Sequence, residues 1–311
     1  MSLISAIICT HNPREDYLRR TLEALKAQTL PMKDWELILV DNASNEPLAG
    51  RIDLSWHPHA RHVREEKTGL THARLRGITE AKGDLLVFVD DDNVLRADYL
   101  EATLKIAADY ALLGAWGGSC IAEYEVEPPA ELRPWLYGLV VEKLKVSQWA
   151  KLKTGNRALP SGAGMTIRRA VGLFYQEKVT HDPMRQALDR SGQKLGAGGD
   201  SDMALCGFEL GLGTGRFPEL ELTHLIAAKR LTLEYFEGLF EGFGYGGIIL
   251  VAIHDRERLE DYRITAMKIF LTRIFMFATG KSRVERRMAL AEVRGRLQAY
   301  RDLEQIGQKN G

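Results

Sequence analysis

Three consecutive carboxylates, Asp90, Asp91 and Asp92, directly follow the apolar run Leu85–Val89. A short continuous apolar run is typical of a buried strand in a parallel sheet that is covered on both faces. Carboxylates about 4 Å apart repel one another by about 1 kcal/mol per pair even in water. Solvation in an exposed loop would tolerate that repulsion. The position at the end of a buried strand instead favours a divalent cation that offsets it.

Polar residues also follow the two predicted strands that precede this one. The first strand, predicted over residues 3–9, runs into Thr10, and the second, Trp35–Val40, runs into Asp41. Ligands of open α/β sheets bind at the carboxyl ends of strands, so we expect the three strand ends to share one crevice. The polar residues expected there after the first strand are Thr10, His11, Asn12 and Arg14.

Cationic and backbone groups suited to phosphate lie between the second and third of these strands. Lys67 and Gly69 fall in a loop, and Arg74 falls near the start of a predicted helix. Arginine, lysine and the backbone N–H groups at a helix N-terminus are common phosphate ligands. Carboxylates for a metal together with cations for a diphosphate favour a nucleotide site.

Strands and helices alternate over the first 120 residues, which predicts βαβ units and a mostly parallel sheet. Turn signals interrupt the pattern from about residue 114, and the chain after Arg230 is predicted to be almost wholly helical. The remaining predictions are helices over 16–28, 71–82, 97–108, 135–149 (lining a groove) and 201–210, and strands over 84–89 and 165–168.

Composition excludes several classes of protein. With 45% hydrophobic residues the chain of 311 residues can bury a sizeable core, and wholesale disorder is excluded. Lys plus Arg equals Asp plus Glu, 42 each, so no global field favours nucleic acid as a partner. The three cysteines show no paired spacing, which agrees with a reducing cytoplasm. Residues 1–10 are expected to form a strand and not a signal peptide, and we expect no spanning helix.

Taken in order, the motifs resemble those of a family 2 glycosyltransferase with the GT-A fold, over about residues 3–235. Each motif alone is weakly specific, whereas the ordered set is highly specific. The set comprises Ile-Ile-Cys-Thr-His-Asn (7–12), Leu-Val-Asp-Asn-Ala-Ser (39–44), Glu-Lys-Thr-Gly-Leu-Thr-His-Ala-Arg (66–74), Phe-Val-Asp-Asp-Asp (88–92), Gly-Ala-Gly-Met (162–165), Gly-Asp-Ser-Asp-Met-Ala-Leu (199–205) and Thr-His (223–224).

The resemblance implies a fold and a division of the chain. The fold would be α/β, with a Rossmann-like, mostly parallel sheet flanked by helices. A GT-A domain would cover residues 1–230, with a nucleotide-binding half to about 115 and an acceptor half from about 116. Residues 231–311 would form a helical C-terminal extension.

The resemblance also implies a role for each donor-side residue. Asp41 and Arg74 would hold the nucleobase or ribose side of a nucleotide-sugar. Asp92 would bind Mn²⁺ or Mg²⁺ directly, Asp90 would touch ribose or metal-bound water, and His224 resembles a third metal ligand. The other donor-binding assignments are Thr10 and Asn12 at the base, Gly162 and Gly164 at the sugar, Lys229 and Arg230 closing over the diphosphate, and Arg14, Lys67, Gly69 and Asp91 nearby.

Asp200 matches the family's catalytic aspartate, which would take the proton of the acceptor hydroxyl. Gly199 stands where the family usually has a glutamate, and this departure leaves Asp202 as a competitor for the role of base. The implied activity is metal-dependent, inverting, non-processive transfer of a sugar from a nucleotide-diphosphate donor, UDP by family habit. The expected acceptor is a carbohydrate or a lipid-linked intermediate of surface polysaccharide or glycolipid synthesis, in the cytoplasm or at the inner face of its membrane.

Several alternatives stay open at this point. The triplet could be a solvated loop, Asp200 and Asp202 an acidic first helical turn, His224 a structural side chain and Lys67 a surface lysine. The segment 262–280 could be a buried helix, an amphipathic helix on an anionic membrane, or a homodimer contact. Instead of transfer, the chain could be a non-catalytic nucleotide-sugar binding module or a sugar nucleotidyltransferase.

Overall fold

Strands and helices alternate through the first half of the chain, as the sequence predicts. The computed structural model describes residues 4–153, 156–189, 196–263 and 281–309. The strands are β1 Ile4–Thr10, β2 Trp35–Asn42, β3 Ala60–Glu65, β4 Leu85–Asp90, β5 Asn93–Leu95, β6 Leu113–Tyr124, β7 Gln148–Ala150, β8 Thr166–Arg168 and β9 Gly213–Ile226. The α-helices are α1 Glu15–Lys26, α2 Leu70–Glu80, α3 Tyr99–Asp109, α4 Arg169–Thr180, α5 Pro183–Gln186, α6 Gly199–Glu209, α7 Leu233–His254 and α8 Arg283–Lys309.

The strands of the described residues form one mixed sheet in the order β3-β2-β1-β4-β8-β6-β9-β5, with β7 paired to β9. The four strands β1 to β4 are parallel to one another, and β6 is parallel to β9. Strand β8 is antiparallel to both β4 and β6. The prediction of an α/β fold with a mostly parallel central sheet is confirmed.

Alternate residues of β1 and β2 pack into two separate apolar clusters, one on each face of the sheet. Ile4, Ala6 and Ile8 belong to one cluster, whereas Ile7 and Ile38 belong to the other. Successive side chains of a strand point to opposite faces, and here helices cover both faces. Burial on both faces explains why these strands are continuous apolar runs in the sequence.

The helices that cover the sheet follow the predicted apolar spacing. In α1, Leu18, Leu22 and Leu25 lie three or four residues apart and are all buried. This spacing places them on one face of the helix, which packs into the same cluster as Ile4 and Ile8. The predicted helices over 16–28, 71–82, 97–108 and 201–210 are confirmed within two residues at each end.

The predicted helix over 135–149 is wrong. A 3-10 helix, Arg133–Leu139, occupies the start of this segment and ends at Val140, which has a φ of +63°. A β-branched residue in the left-handed region cannot continue a right-handed helix. The chain then extends into β7, whose Gln148 pairs with Arg216 of β9. The segment nevertheless lines a groove, as expected.

Strand β6 was hidden in the sequence by its glycines, which predict a turn. A side chain at Gly118 would place its Cβ 1.8 Å from the carbonyl oxygen of Leu220. The pairing of β6 with β9 skips residues here, from Gly118 opposite Phe217 to Ser119 opposite Glu221. The glycine therefore allows the two strands to approach at the irregularity, beyond which β9 carries His224.

Helices α7 and α8 pack closely through glycines. A Cβ at Gly244 would lie 2.1 Å from the carbonyl oxygen of Glu292, and one at Gly295 would lie 1.9 Å from that of Glu241.

By length and composition alone α7 could cross a membrane, with a mean hydropathy of 1.4, and 44% of its most apolar window is buried in the protein. Its length and hydropathy were not anticipated from the sequence. The segment 262–280, expected to be a buried helix, a helix on a membrane surface or a dimer contact, lies almost wholly outside the described residues. The domain boundary at 230 stays a prediction.

We expect Gly118→Ala to lower the free energy of unfolding by at least about 2 kcal/mol, because its Cβ would meet backbone that cannot easily move. Urea denaturation measures this loss. Gly50→Ala is the control, since a Cβ at Gly50 meets nothing within 4 Å, and it should change stability by less than about 1 kcal/mol. Equal stabilities of the two variants would contradict the close approach of β6 and β9.

Candidate functional site

A cavity of about 1010 Å³ opens at the carboxyl ends of β1, β2 and β4. It is the crevice that the sequence predicts from polar strand ends. Its walls also include side chains from the 3-10 helix 133–139 and from α7. The predicted site residues that line it are Thr10, Gly69, Arg74, Asp90, Asp91, Asp92, Gly162, Asp200, His224 and Arg230.

Asp41, which is buried, and Asn12, which is exposed, do not line the cavity but organise the loops that follow β1 and β2. The Asp41 carboxylate accepts hydrogen bonds from the backbone N–H groups of Ser44 and Leu48 and pairs with Arg64 at 2.7 Å. Although burial opposes the shift, these hydrogen bonds lower the pKa of Asp41. The Asn12 N–H donates to the Ser44 hydroxyl at 2.9 Å, which ties the two loops together.

Three further predicted residues do not line the cavity. Arg14 forms ion pairs with Asp16 at 2.7 Å and Glu125 at 2.9 Å, and Lys67 is exposed. Gly164 has a φ of +69°, and its carbonyl oxygen accepts a hydrogen bond from the Tyr99 hydroxyl at 2.7 Å. Gly164 thus serves the backbone turn next to the cavity, and its neighbour Gly162 faces the cavity itself.

The middle carboxylate of the triplet, which had no firm role, contacts the first strand. Asp91 accepts a hydrogen bond from the Thr10 hydroxyl at the end of β1. Burial, and then repulsion from Asp92, raises the pKa of Asp91 to about 7, although the Thr10 hydroxyl acts in the opposite direction. Repulsion among the three acids, which the sequence predicts, therefore adds to the effect of burial at Asp91.

Asp92 meets His224 because of strand pairing. Asn93, which begins β5, lies directly opposite His224 in the antiparallel pair β5–β9. The pairing brings Nε2 of His224 to 3.4 Å from Oδ2 of Asp92. Arg230, in the short 3-10 helix 228–230 after β9, places Nη1 2.9 Å from both of these atoms.

The tautomer of His224 follows from its neighbours. Its Nδ1 lies 3.1 Å from the carbonyl oxygen of Leu139, which can only accept a hydrogen bond, so Nδ1 carries the proton. In the neutral ring Nε2 then has a free lone pair, which accepts from Arg230. A hydrogen bond from the other ring nitrogen to a carbonyl is the arrangement that orients metal-binding histidines.

This donor set fits a divalent cation. The Asp92 carboxylate and the Nε2 lone pair of His224 converge on one point, at which the guanidinium of Arg230 lies. Among the described residues no group of three or more His, Cys, Asp or Glu side chains is arranged to hold a metal. Mg²⁺ commonly takes one or two protein ligands and completes its shell with substrate phosphates and water, so two protein ligands suffice.

The two candidate bases differ sharply in position. Asp200, in the first turn of α6, lines the cavity, and its Oδ2 accepts a hydrogen bond from the N–H of Gly162 at 2.7 Å. Asp202 is fully buried, and its Oδ1 lies 2.6 Å from both Arg185 and His254. The geometry therefore favours Asp200 for contact with a substrate, and Asp202 joins α6 to α5 and α7.

Asp189 is a cavity residue that the motifs did not indicate. Its carboxylate pairs with Arg74 at 3.0 Å and accepts a hydrogen bond from Thr71 at 2.9 Å. It lies 115 residues from Arg74 and belongs to none of the motifs. No local pattern in the sequence could have identified it, because only folding brings α2 next to the segment after α5.

Comparison with known proteins identifies the family. A model described as glycosyl transferase family 2 matches residues 5–169, more than half of the 311 residues. The chain belongs to this family. Segments of it are 31% identical to EpsH of Bacillus subtilis over 108 residues (34% of this chain, 30% of EpsH) and 31% identical to the glycosyltransferase GlyA of Streptococcus pneumoniae over 110 residues (34% of this chain, 15% of GlyA). The matched segments thus span less than a third of either relative.

A relative from Haloferax volcanii, a glucosyl-dolichyl phosphate glucuronosyltransferase, is 24% identical over 144 residues, 44% of each chain. Among solved structures, Staphylococcus aureus TarS 1–349 matches with a TM-score of 0.50 and 13% identity, covering 100% of this chain and 92% of that one. The same TarS segment in complex with UDP has a TM-score of 0.51. At this identity the likeness shows a shared GT-A fold alone, which confirms the predicted fold class.

We expect Asp91→Asn to stabilise the metal-free protein by on the order of 1–2 kcal/mol at pH 7.5. The pKa of Asp91 is raised from 3.8 to about 7. Between these two pH values the folded chain therefore holds a proton that the unfolded chain has lost. The stability of the wild type falls as the pH rises through this range. Asparagine cannot ionise, so the gain should grow from pH 4 to 7. Urea denaturation measures it.

Asp109→Asn, at the exposed end of α3, is the control and should not alter the pH dependence. A gain for Asp91→Asn that is equal at pH 4.5 and pH 7.5 would contradict the crowding of charge at the triplet.

Proposed function

We propose that this protein transfers a sugar from a nucleotide-diphosphate donor, a UDP-sugar, to an acceptor hydroxyl with inversion at the anomeric carbon. The observation that carries the proposal is the convergence of Asp92, His224 and Arg230 with Asp200 and Gly162 around one cavity. Groups that bind a diphosphate and a carboxylate that can accept a proton therefore face the same space. Membership of glycosyl transferase family 2 supports glycosyl transfer as the chemistry of that space.

The donor diphosphate would lie near Arg230 and the triplet. Asp92 and His224 would hold Mn²⁺ or Mg²⁺, which when bound would stabilise the negative charge that develops on the leaving diphosphate. Arg230 lies beside them and would turn from Asp92 to a phosphate oxygen. Thr10 and Gly69 line the part of the wall that would face the nucleoside. The likeness to TarS, which has been solved with UDP, supports UDP as the nucleotide.

Asp200 would act as the base. Its Oδ2 is held by the Gly162 N–H and its Oδ1 by the N–H of Ser201 at 2.8 Å, so the carboxylate is oriented before a substrate binds. An acceptor hydroxyl is a poor nucleophile, and transfer of its proton to a positioned carboxylate accelerates attack. A single base and a single displacement would give inversion at the anomeric carbon.

The acceptor would enter from the side formed by the 3-10 helix 133–139 and α7. Tyr137, Leu239 and Phe243 line this side, and Tyr137 is 60% exposed. Exposed aromatic rings next to a polar site suit a sugar ring or the first groups of a lipid carrier. The name of the Haloferax relative supports a lipid-linked acceptor, which would place the protein at the inner face of the cytoplasmic membrane.

We expect Asp200→Asn to lower the rate of transfer by about 10²- to 10⁴-fold, because the amide cannot accept the proton. Until an acceptor is known, the assay is release of nucleotide from a panel of UDP-, GDP- and dTDP-sugars with Mn²⁺. Affinity for the donor, measured by calorimetry, should stay within about threefold.

Asp84→Asn changes an exposed aspartate directly before β4, at the opposite end of the sheet from the cavity, and should leave the rate unchanged. Full activity of Asp200→Asn would rule out this residue as the base. A wild-type protein that binds a nucleotide-sugar but releases no nucleotide from any donor would favour the binding-module alternative over catalysis.

We expect Arg230→Ala to bind Mn²⁺ about tenfold more tightly than wild type when no nucleotide is present. The guanidinium of Arg230 lies 2.9 Å from both Asp92 and His224 and therefore competes with a cation for these two ligands. Calorimetry or the electron paramagnetic resonance of Mn²⁺ measures the affinity. With UDP present the same variant should bind more weakly than wild type, because a phosphate contact is lost.

Lys229→Ala is the matched control, since Lys229 is the exposed cation next to Arg230 and should leave the Mn²⁺ affinity without nucleotide unchanged. An unaltered affinity in Arg230→Ala would contradict the competition between the guanidinium and the cation.

A further inference from the structure

Asp189 and Arg74 form a buried ion pair in the wall of the cavity. Their side chains are only 8% and 6% exposed, and Nη1 of Arg74 lies 3.0 and 3.2 Å from the two oxygens of Asp189. The Thr71 hydroxyl, on the same helix as Arg74, donates to Oδ2 of Asp189. Two desolvated charges with a third hydrogen bond hold one another in a defined orientation, and loss of either leaves the other uncompensated.

The Asp189 carboxylate fits because position 199 has no side chain. A Cβ at Gly199 would lie 2.3 Å from Oδ1 and 2.5 Å from Oδ2 of Asp189, closer than real contacts allow. Within any aspartate side chain, the two carboxylate oxygens lie at about the same distances from that residue's own Cβ. A carboxylate delivered from residue 199 would therefore reach nearly the same place, but only if Asp189 had vacated it.

Arg74 and Asp200 meet on two sides of Gly162. The position that a Cβ of Gly162 would take lies 3.0 Å from Nη2 of Arg74 and 3.0 Å from Oδ2 of Asp200. Among the described residues the ion-pair partner of Arg74 is Asp189, although Asp200 and Asp90 also contribute to raising the pKa of the guanidinium. The orientation of Arg74 toward Asp189 keeps its charge close to Asp200 without a direct ion pair that would neutralise the base.

We propose that Asp189 is a positioning residue of the transfer site, which takes the space left by Gly199 and holds Arg74 beside Asp200 and the donor. The carboxylate touches neither the donor nor the acceptor and acts through Arg74. This role rests on the proposed function, because it assigns Arg74 and Asp200 to a reacting site.

The first test removes the carboxylate of residue 189 and then supplies a carboxylate to the same place from residue 199. We expect Asp189→Ala to lower kcat/KM for nucleotide release by about 100-fold, since a misplaced group near the reacting atoms has an effect of this size. The double variant Asp189→Ala with Gly199→Asp should recover at least tenfold of this loss. A role that is only structural would allow stability to recover without the rate, and that result would overturn the proposal.

The second test uses stability and needs no activity. Gly199→Asp alone should lower the urea midpoint, because its side chain collides with Asp189. In the Asp189→Ala background the same substitution should raise the midpoint, because its carboxylate takes the vacated place beside Arg74. A lowered midpoint in both backgrounds would overturn the geometry on which the proposal depends.

Glu36→Ala is the matched control. Glu36 is 3% exposed and pairs at 2.7 Å, at the opposite end of β2, with Arg61, which is 29% exposed, so it is a buried carboxylate with an arginine partner outside the cavity. It should lower stability and leave kcat/KM of the folded protein unchanged. If the wild type is active and Asp189→Ala is equally active, the positioning role is overturned but the proposed function is not. A wild type that releases no nucleotide overturns the proposed function, and the reversal of midpoints then still tests the placement of the carboxylate.

Discussion

The charge at the end of β4 is the constraint on which the rest of the site depends. Asp90, Asp91 and Asp92 cannot share one strand end unless other parts of the chain supply protons and positive charge. The structure meets this need from three directions. Thr10 donates to Asp91, Arg230 pairs with Asp92, and Arg74 lies in the same cavity wall as Asp90. Each of these groups comes from a different element, so their contacts with the three carboxylates also hold those elements together.

The β6–β9 and β5–β9 pairs decide where the compensating groups lie. The glycine at 118 lets β9 approach β6 at a break in register, and β5 then aligns His224 with the residue after Asp92. Arg230 follows β9 by only four residues. A small backbone feature at Gly118, far from His224 in sequence, thus helps to set the distance between the Asp92 carboxylate and the His224 imidazole. This coupling explains the glycine at position 118 of β6.

The second half of the cavity is built around buried carboxylates that act indirectly. Asp189 lies against α6 and Asp202 belongs to it, and each pairs with an arginine, Arg74 and Arg185 respectively. They hold the first turn of α6 between α2, α5 and α7, and this turn carries Asp200. In the sequence Asp200 and Asp202 look interchangeable because they are two residues apart. On a helix that separation turns the side chains in different directions, so one faces the cavity and the other the interior.

Local pattern was sufficient for most elements of the first 110 residues and for the polar residues that end β1, β2 and β4, but it did not predict β3 or β5. Continuous apolar runs predict β1, β2 and β4, and apolar residues at helical spacing predict α1, because burial of a strand or of a helix face leaves a regular trace in the chain. Helices α2, α3 and α6 were also predicted from the sequence. The strand β6, the extended segment after Val140, the buried place of Asp202 and the role of Asp189 left no such trace. Each depends on a contact between residues far apart in sequence: Gly118 with Leu220, Asp202 with His254, and Asp189 with Arg74 and Gly199. Only the tertiary structure decides these features. The space beside a glycine and the pairing of a carboxylate with a residue distant in sequence both arise only once the chain has folded.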